Sequence, residues 1–456
     1  MECCLTRWTD ETVNARERVT YRVGDESEGE VCVSIHGHGR RAFTLASALT
    51  FCATLPPAGA GDWPQIWGPS VTGAVDVSGA GGGVTLRELW RRPIGTGYSA
   101  ITVVGGRGYT GESDGTTDHA FAFDLATGRT LWRVGLGPTY RGHDGSRDGP
   151  IATPAVSGSR VFMAGPHGLL LALDTASGRE LWRKDLAKDL QAKAPHYGFG
   201  ASPIVAADKV VVQIGGAEKS GLVAFDAASG AVAWSALLSD TKGDSTGYTM
   251  AAPAAFGGEP QLVVTGHDRV FAVRVGDGTL VWSHALGEAE EPTRAPLVLA
   301  DDRVLVSRGT ASVLLKLARE AGAWKASELW KSPRVKGGLS PTVHEGGSLY
   351  GFGGQYLLCL DAATGEPRWR EKTNSGGLIR VGKHLVLLGE QSGQLRVLQA
   401  EPAAYRELAR AAAFNAGAQS STGPSYADGR LYLRNLEEMV AYELVAGPAA
   451  ASGVKP

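Results

Sequence analysis

Four stretches of this chain are near-copies of one another: AFDLATGRTLW ending at Trp132, ALDTASGRELW at Trp182, AFDAASGAVAW at Trp234 and CLDAATGEPRW at Trp369. A worn copy, AVRVGDGTLVW, ends at Trp282 with Arg274 in place of the aspartate. The unit VLLKLAREAGAWKASELW keeps Trp330 but loses the Asp-Gly turn to an insertion, and RVLQAEPAAYRELA loses the tryptophan as well. From Trp90 to Trp369 the tryptophans that end these units stand 42, 50, 52, 48, 48 and 39 residues apart. A period of this size constrains the fold strongly, because one such unit cannot bury its own apolar face and must stack on its neighbours.

Each phrase follows the same lead: a proline or small residue, a short apolar run, a polar Gly or Asp turn, then β-branched alternation. ATPAVSGSRVFMAG, ASPIVAADKVVVQIG and LSPTVHEGGSLYGFG are examples. A two-residue period runs through RVFMA and KVVVQ, and no helical period competes with it. Each unit therefore holds four short strands, as a β-propeller blade does. Leads near 98, 152, 201, 251, 295, 340, 377 and 422 give eight units. The eighth, GPSYADGRLYLRNLEEMVAYEL, has three strands and stops, whereas RELWR at 87–91 is a strand ending without a lead-in. An open ring would leave unpaired edges. The expectation is an all-β, eight-bladed antiparallel propeller whose strand at 86–91 pairs with the C-terminal blade at 422–444. The content of 63 Gly and 22 Pro suits short strands and tight turns.

The repeated residues have local reasons. Asp124, Asp174, Asp226 and Asp361 can accept the backbone N–H groups that follow them, while Gly128, Gly178, Gly230 and Gly365 take the positive φ of the turn. Trp90, Trp132, Trp182, Trp234, Trp282, Trp330 and Trp369 then pack an outer strand on its neighbour, each indole N–H needing an acceptor such as a backbone carbonyl. All of these are assigned to structure.

The first sixty residues differ in kind. Arg40-Arg41, an apolar run from Ala42 to Leu55, and Ala58-Gly59-Ala60 read in order as a secretory signal with its cleavage site. The residues before it then reflect a start placed too early; an ordered N-terminal extension is the competing reading. R-R-A-F has the form of a twin-arginine export signal with Gly39 at the usual Ser/Thr position. Phe51 disfavours Cys52 as a lipid anchor. The expected organisation is a targeting segment at 1–60, a leading segment at 61–84, one propeller at 85–446 and a disordered tail at 447–456. After cleavage only Cys359 would remain, with burial as its expected role. A net charge of −2 gives no footprint for nucleic acid, and no apolar run reaches the roughly 20 residues of a membrane helix.

The phrase A-x-D-x-x-T-G-x-x-x-W resembles the tryptophan-docking repeat of the PQQ-binding-like, quinoprotein-type propeller family. GDWPQIWGPSVTG at 61–73 is similar to the leading segment of an exported bacterial branch of that family. The resemblance covers 61 to about 446 and implies one of three roles: quinone-dependent alcohol or sugar dehydrogenase, scaffold like the propeller lipoprotein of outer-membrane protein assembly, or an exported protein of unassigned role or sensor domain. For alcohol dehydrogenases of this kind it implies a vicinal disulfide, a Ca²⁺ held by Glu, Asn and Asp, and an Asp base. Here the Cys pair is Cys3-Cys4, outside the repeats, and the asparagines after residue 60 are Asn374, Asn415 and Asn435. The sugar-oxidising branch, which lacks the disulfide and uses a His base, stays open. No cofactor is expected, with PQQ and Ca²⁺ the alternative; no metal ligand or catalytic residue is assigned.

Weaker motifs carry less. Gly243 to Gly247 fits G-x-S-x-G, but in a Gly-rich loop rather than on a strand-to-helix turn. SDGTTDH (113–119) and GHDGSRDG (142–149) lack alternating calcium ligands and read as solvated turns. The longest loops joining one unit to the next are 138–150, 189–200 and 239–248. They carry Tyr140, Arg141, His143, Asp144, Arg147, Asp148, His196, Tyr197, Lys242 and Tyr248; Arg294, Lys336 and Gln419 precede later inner strands. Such a mixture of cations, rings and acids can bind an anion or polar chain, against the plainer reading of solvated loop residues. The expected function is an exported, periplasmic or extracytoplasmic, non-catalytic binding or scaffold protein of the cell envelope, engaging a protein or polymer; the alternative is a PQQ-dependent dehydrogenase acting on an alcohol or sugar.

Overall fold

A computed structural model describes residues 61–77, 83–215, 219–240, 248, 250–287, 295–309, 311–335 and 340–447. Eight antiparallel sheets follow one another around a ring, seven of them running from innermost to outermost strand in chain order. Blades 1 to 7 span 102–138, 155–185, 204–240, 252–285, 297–332, 343–372 and 376–412. Blade 8 takes its three inner strands from Ser425–Ala427, Arg430–Arg434 and Glu438–Ala446, and its outer strand from Val84–Pro93.

The expected closure is present: Leu86 lies opposite Leu444, Arg87 opposite Glu443 and Arg91 opposite Val440. A buried arginine reinforces this seam. Arg434, 1% exposed, donates to the carbonyls of Gly111 (2.6 Å), Gly95 (3.2 Å) and Ser99 (3.2 Å). Blade 8 is thereby fastened to the connection into blade 1 and to the second strand of that blade. Burial without a hydrogen-bonded carboxylate lowers the guanidinium pKa to about 10.

Tryptophan docking joins the blades. The indole N–H of Trp132 donates to Thr175 O (3.0 Å), Trp182 to Ala227 O (3.1 Å), Trp234 to Val275 O (2.9 Å) and Trp330 to Ala362 O (3.3 Å). In each case the acceptor lies in the turn of the next blade. Trp90 makes the same bond across the closure, to Leu125 O at 2.8 Å. The register shifts just before each of these tryptophans, between Glu180 and Trp182 for example. That bulge re-aims the indole out of its own sheet toward the neighbour. Asp174 meanwhile accepts from Ser177 N (2.9 Å) and Ser177 Oγ (2.7 Å), holding the turn that receives Trp132.

Two departures have physical causes. Trp282 donates to Gln261 Oε1 of its own blade (3.1 Å), because the inserted hairpin of blade 5 offers no docking turn. The alternation read from RVFMA does not appear as alternating burial: Arg160–Ala164 is buried from Val161 onward. Middle strands are covered on both faces by adjacent blades, and the alternating pattern belongs to outer strands such as Pro367–Lys372.

The leading segment crosses the channel. Trp63 exchanges backbone hydrogen bonds with Val103 of blade 1 (2.7 and 2.9 Å), and Val156 N of blade 2 donates to Pro64 O (2.7 Å). Gln65 Oε1 accepts from Val205 N of blade 3 (3.0 Å). On the far side, Ala74–Val75 pairs in parallel with Gly376–Val381 of blade 7. Asp62 accepts from Gly105 N in the turn between the first two strands of blade 1, so the segment lies toward that end of the ring. The targeting expectation at 1–60 and, apart from Gly447, the tail expectation at 447–456 fall outside the described residues.

Candidate functional site

With one end of the channel crossed by the leading segment, the connections from each outer strand to the next inner strand form the opposite end. Three consecutive ones, from blades 1 to 2, 2 to 3 and 3 to 4, bring most of the candidate residues together. The blade 2 connection begins with the short helix Leu186–Leu190, capped by Asp185, whose side chain accepts from Lys188 N (3.0 Å). Lys193 then bridges to Gly215, carrying the chain to Pro195–Tyr197.

Five rings make the cluster. Tyr197 stacks on His143 with centroids 5.2 Å apart and an interplanar angle of 16°. His196 meets His143 edge-on at 4.5 Å. Tyr197 N donates to Tyr248 Oη, tying in the blade 3 connection. Tyr140 sits beneath, its hydroxyl 3.2 Å from both His143 Nε2 and the His196 carbonyl. Asp144 bridges the two imidazoles, its Oδ2 lying 2.7 Å from His196 Nε2 and 3.2 Å from His143 Nδ1. Its contacts with His196 and then with His143 hold the Asp144 carboxyl below its ordinary pKa. Asp144 itself is at φ 53°, and Gly145 follows at φ 84°.

Other candidates serve to hold the loops. Asp148 accepts from Gly142 N (2.9 Å) and Arg141 Nη1 (2.5 Å), and Arg141 also donates to Gly115 O (2.7 Å). Arg147 contributes its backbone N–H to Tyr98 Oη at 2.6 Å while its side chain is exposed. Gln419 lies in the connection between blades 7 and 8, donating to Ser421 Oγ (3.1 Å), with the Tyr98 connection between it and the ring cluster. Lys242, Arg294 and Lys336, like the G-x-S-x-G match, lie outside the described residues.

Sequence reasoning missed three contributors. Tyr98 braces the 138–150 loop. His167, in the turn between the second and third strands of blade 2, packs against Tyr140 at 5.7 Å. Asp118 was read within a solvated turn; it is 1% exposed and accepts from Tyr140 N through Oδ2 (3.0 Å). The second acidic residue of that loop ends up under the Tyr140 loop because Thr117–Asp124 is a full strand rather than a turn. Desolvation raises the Asp118 carboxyl pKa.

The donor chemistry also tests a resident quinone with calcium. Among the described residues, the one group of three metal-ligating His, Cys, Asp or Glu side chains is His143, Asp144 and His196. Two imidazoles and one carboxylate do not make the all-oxygen set a hard Ca²⁺ requires. Cys359, the described cysteine, is buried and unpaired, so no vicinal disulfide is formed among these residues. This one cluster is therefore not the Glu, Asn and Asp calcium constellation that the resemblance implies for alcohol dehydrogenases.

Fold and docking pattern together define an eight-bladed, tryptophan-docked propeller of the quinoprotein type. The profile of the family described as outer membrane protein assembly factor BamB matches residues 116–371, more than half of the chain, and the chain belongs to that family. It is 26% identical over 263 residues to the outer membrane protein assembly factor BamB of Moranella endobia (strain PCIT), covering 54% of this chain and 64% of that relative. The match thus spans somewhat under two thirds of the relative's length. Among solved structures, BamB from Moraxella catarrhalis superposes with a TM-score of 0.56 at 16% identity, over 78% of this chain and 99% of that one. The quinohemoprotein alcohol dehydrogenase from Comamonas testosteroni gives 0.61 at 15% identity, over 88% and 83%. At such identities both likenesses speak to the fold alone.

Proposed function

We propose that this protein is an exported, non-catalytic binding or scaffold protein of the bacterial cell envelope, which engages a protein or polymer partner through the ring cluster at the mouth of blades 1 to 3. The observation that carries the reading is the clustering of Tyr140, His143, His196, Tyr197 and Tyr248 on three successive connections. Aromatic side chains with polar tips, held by backbone hydrogen bonds, present contact area at small entropic cost. Membership of a family described as outer membrane protein assembly factor supports an envelope location and a scaffolding role. No helix among the described residues is long and apolar enough to cross a membrane.

The protein works without resident quinone in this reading, since its imidazole-rich cluster does not offer the oxygen ligands of Ca²⁺. The test has two arms. Cross-linking and pull-down from envelope extract with the purified chain should recover the same partner repeatedly, and Tyr197→Ala with Tyr248→Ala should lose it while retaining the wild-type fold. Incubation with PQQ and Ca²⁺ should give neither a stoichiometric quinone spectrum nor alcohol- or sugar-dependent dye reduction. Turnover in that second arm would overturn the proposal.

A further inference from the structure

We propose that His143 Nδ1, Asp144 Oδ2 and His196 Nε2 form a binding site for one divalent transition-metal ion of the Zn²⁺ class, clipping the 138–150 connection to the 189–200 connection. The tautomer of His143 is set by its neighbours. Its Nε2 lies 2.9 Å from the carbonyl oxygen of His196, which can only accept, so that nitrogen carries the proton and donates. In the neutral ring the lone pair is then on Nδ1. That lone pair faces Asp144 Oδ2 at 3.2 Å, and the same oxygen faces His196 Nε2 at 2.7 Å. Two acceptors opposed at this distance require a proton or a cation between them.

The three ligand atoms all lie within 4.8 Å of one another. Tetrahedral zinc with bonds of about 2.0–2.1 Å sets its ligand atoms roughly 3.3 Å apart, so the 2.7 Å contact opens by a few tenths of an ångström and the 3.2 Å contact barely moves. A backbone carbonyl holding the distal N–H of a ligating imidazole is the support such sites use. Two imidazoles with one carboxylate select zinc, copper, nickel or cobalt over calcium or magnesium. The side chains are 39%, 64% and 42% exposed in the order His143, Asp144, His196, which leaves the fourth position to solvent or to a ligand from outside.

The site is independent of the scaffold reading: it can hold metal whether or not the mouth binds a partner. The test uses the full chain with any affinity tag removed, titrated calorimetrically with ZnCl₂ after chelator treatment. Co²⁺ absorption serves as a second readout of an N/O-coordinated ion. We expect one ion per chain, with affinity lowered at least about tenfold in His196→Ala and in His143→Ala. Each variant should keep the wild-type melting temperature in chelator; His196→Gln replaces any variant that does not. Absence of binding at roughly 1 mM Zn²⁺, or binding that His196→Ala and His143→Ala leave unchanged, overturns the proposal.

Discussion

Two glycines of one blade differ in what they leave room for at a docked tryptophan. Gly178 and Gly158 both have positive φ, 71° and 55°. A Cβ on Gly158 would meet nothing within 4 Å, whereas one on Gly178 would lie 2.7 Å from Trp132 Cδ2 and 2.9 Å from Trp132 Cε3. Gly158→Ala thus isolates the backbone penalty, about 1 kcal/mol. Gly178→Ala carries the same penalty plus the cost of forcing the indole off the turn, about 1–3 kcal/mol. The total is roughly 2–4 kcal/mol. For a domain of this size the unfolding entropy converts roughly 1 kcal/mol into about 1 °C. Differential scanning calorimetry at one fixed scan rate should therefore place Gly178→Ala about 1–3 °C below Gly158→Ala. In a Trp132→Ala background the extra shift should vanish, since the clash has lost its partner. Equal shifts for the two alanines, or an extra shift that survives removal of Trp132, would refute the reasoning.

Three further outcomes follow from the same structure. Arg434→Met removes the donor from the carbonyls of Gly95, Ser99 and Gly111; even with the relief of a buried charge, it should cost about 3 kcal/mol and speed amide exchange in 84–93 and 438–446 before the other blades. Asp361 is held at about 2, first by its bond to Arg368 and then by the turn N–H groups. Its contribution is complete above the unfolded carboxylate pKa and is lost as pH falls through about 2, so Asp361→Ala should cost about 1 kcal/mol near neutrality and the two melting curves should converge in acid. Asp118 is shifted the other way by burial, so its cost is complete above its raised folded pKa and absent below the unfolded one. Asp118→Asn, which keeps an acceptor for Tyr140 N, should raise the melting temperature at pH 7 by an amount that shrinks on acidification.

Most of the ring was legible because the docking phrase couples local and distant structure in one string. Asp174, Gly178 and the following strand can be read without knowing what docks there. The spacing to Trp182 then announces the next interface. The orphan RELWR was informative for the same reason: a docking strand without a preceding unit has to find one elsewhere. The burial of Arg160–Ala164 on both faces was not legible, since it depends on two neighbours that a local window cannot include. The loop cluster was legible only as a set of side chains. That His143 and His196 approach one carboxylate depends on the pitch between adjacent blades and on Asp144 at positive φ, which the residue types alone do not encode.

The blade 5 insertion shows how much the docking rule governs. There the turn that should receive Trp282 is replaced by the hairpin Ser312–Glu320 and Ala323–Ser332. Trp282 turns its N–H to Gln261, and the gap on the blade 4 side is filled by Trp324, which packs on Phe256 at 6.2 Å with Arg319 over its own ring at 5.0 Å. An indole thus still bridges blades 4 and 5, but it comes from the later blade and reaches backward. Where an indole serves a junction its N–H is satisfied, and the direction from which it arrives is free to change; the junction of blades 7 and 8, whose outer strand Glu407–Ala412 carries no aromatic residue, does without one. Trp324 Nε1 is 3.4 Å from Glu259 Oε2, where the other interblade indoles meet backbone carbonyls at 2.8–3.3 Å. The junction of blades 4 and 5 therefore depends on side chains at both of its anchors, and Gln261→Leu should loosen it more than the loss of any single turn carboxylate loosens the others.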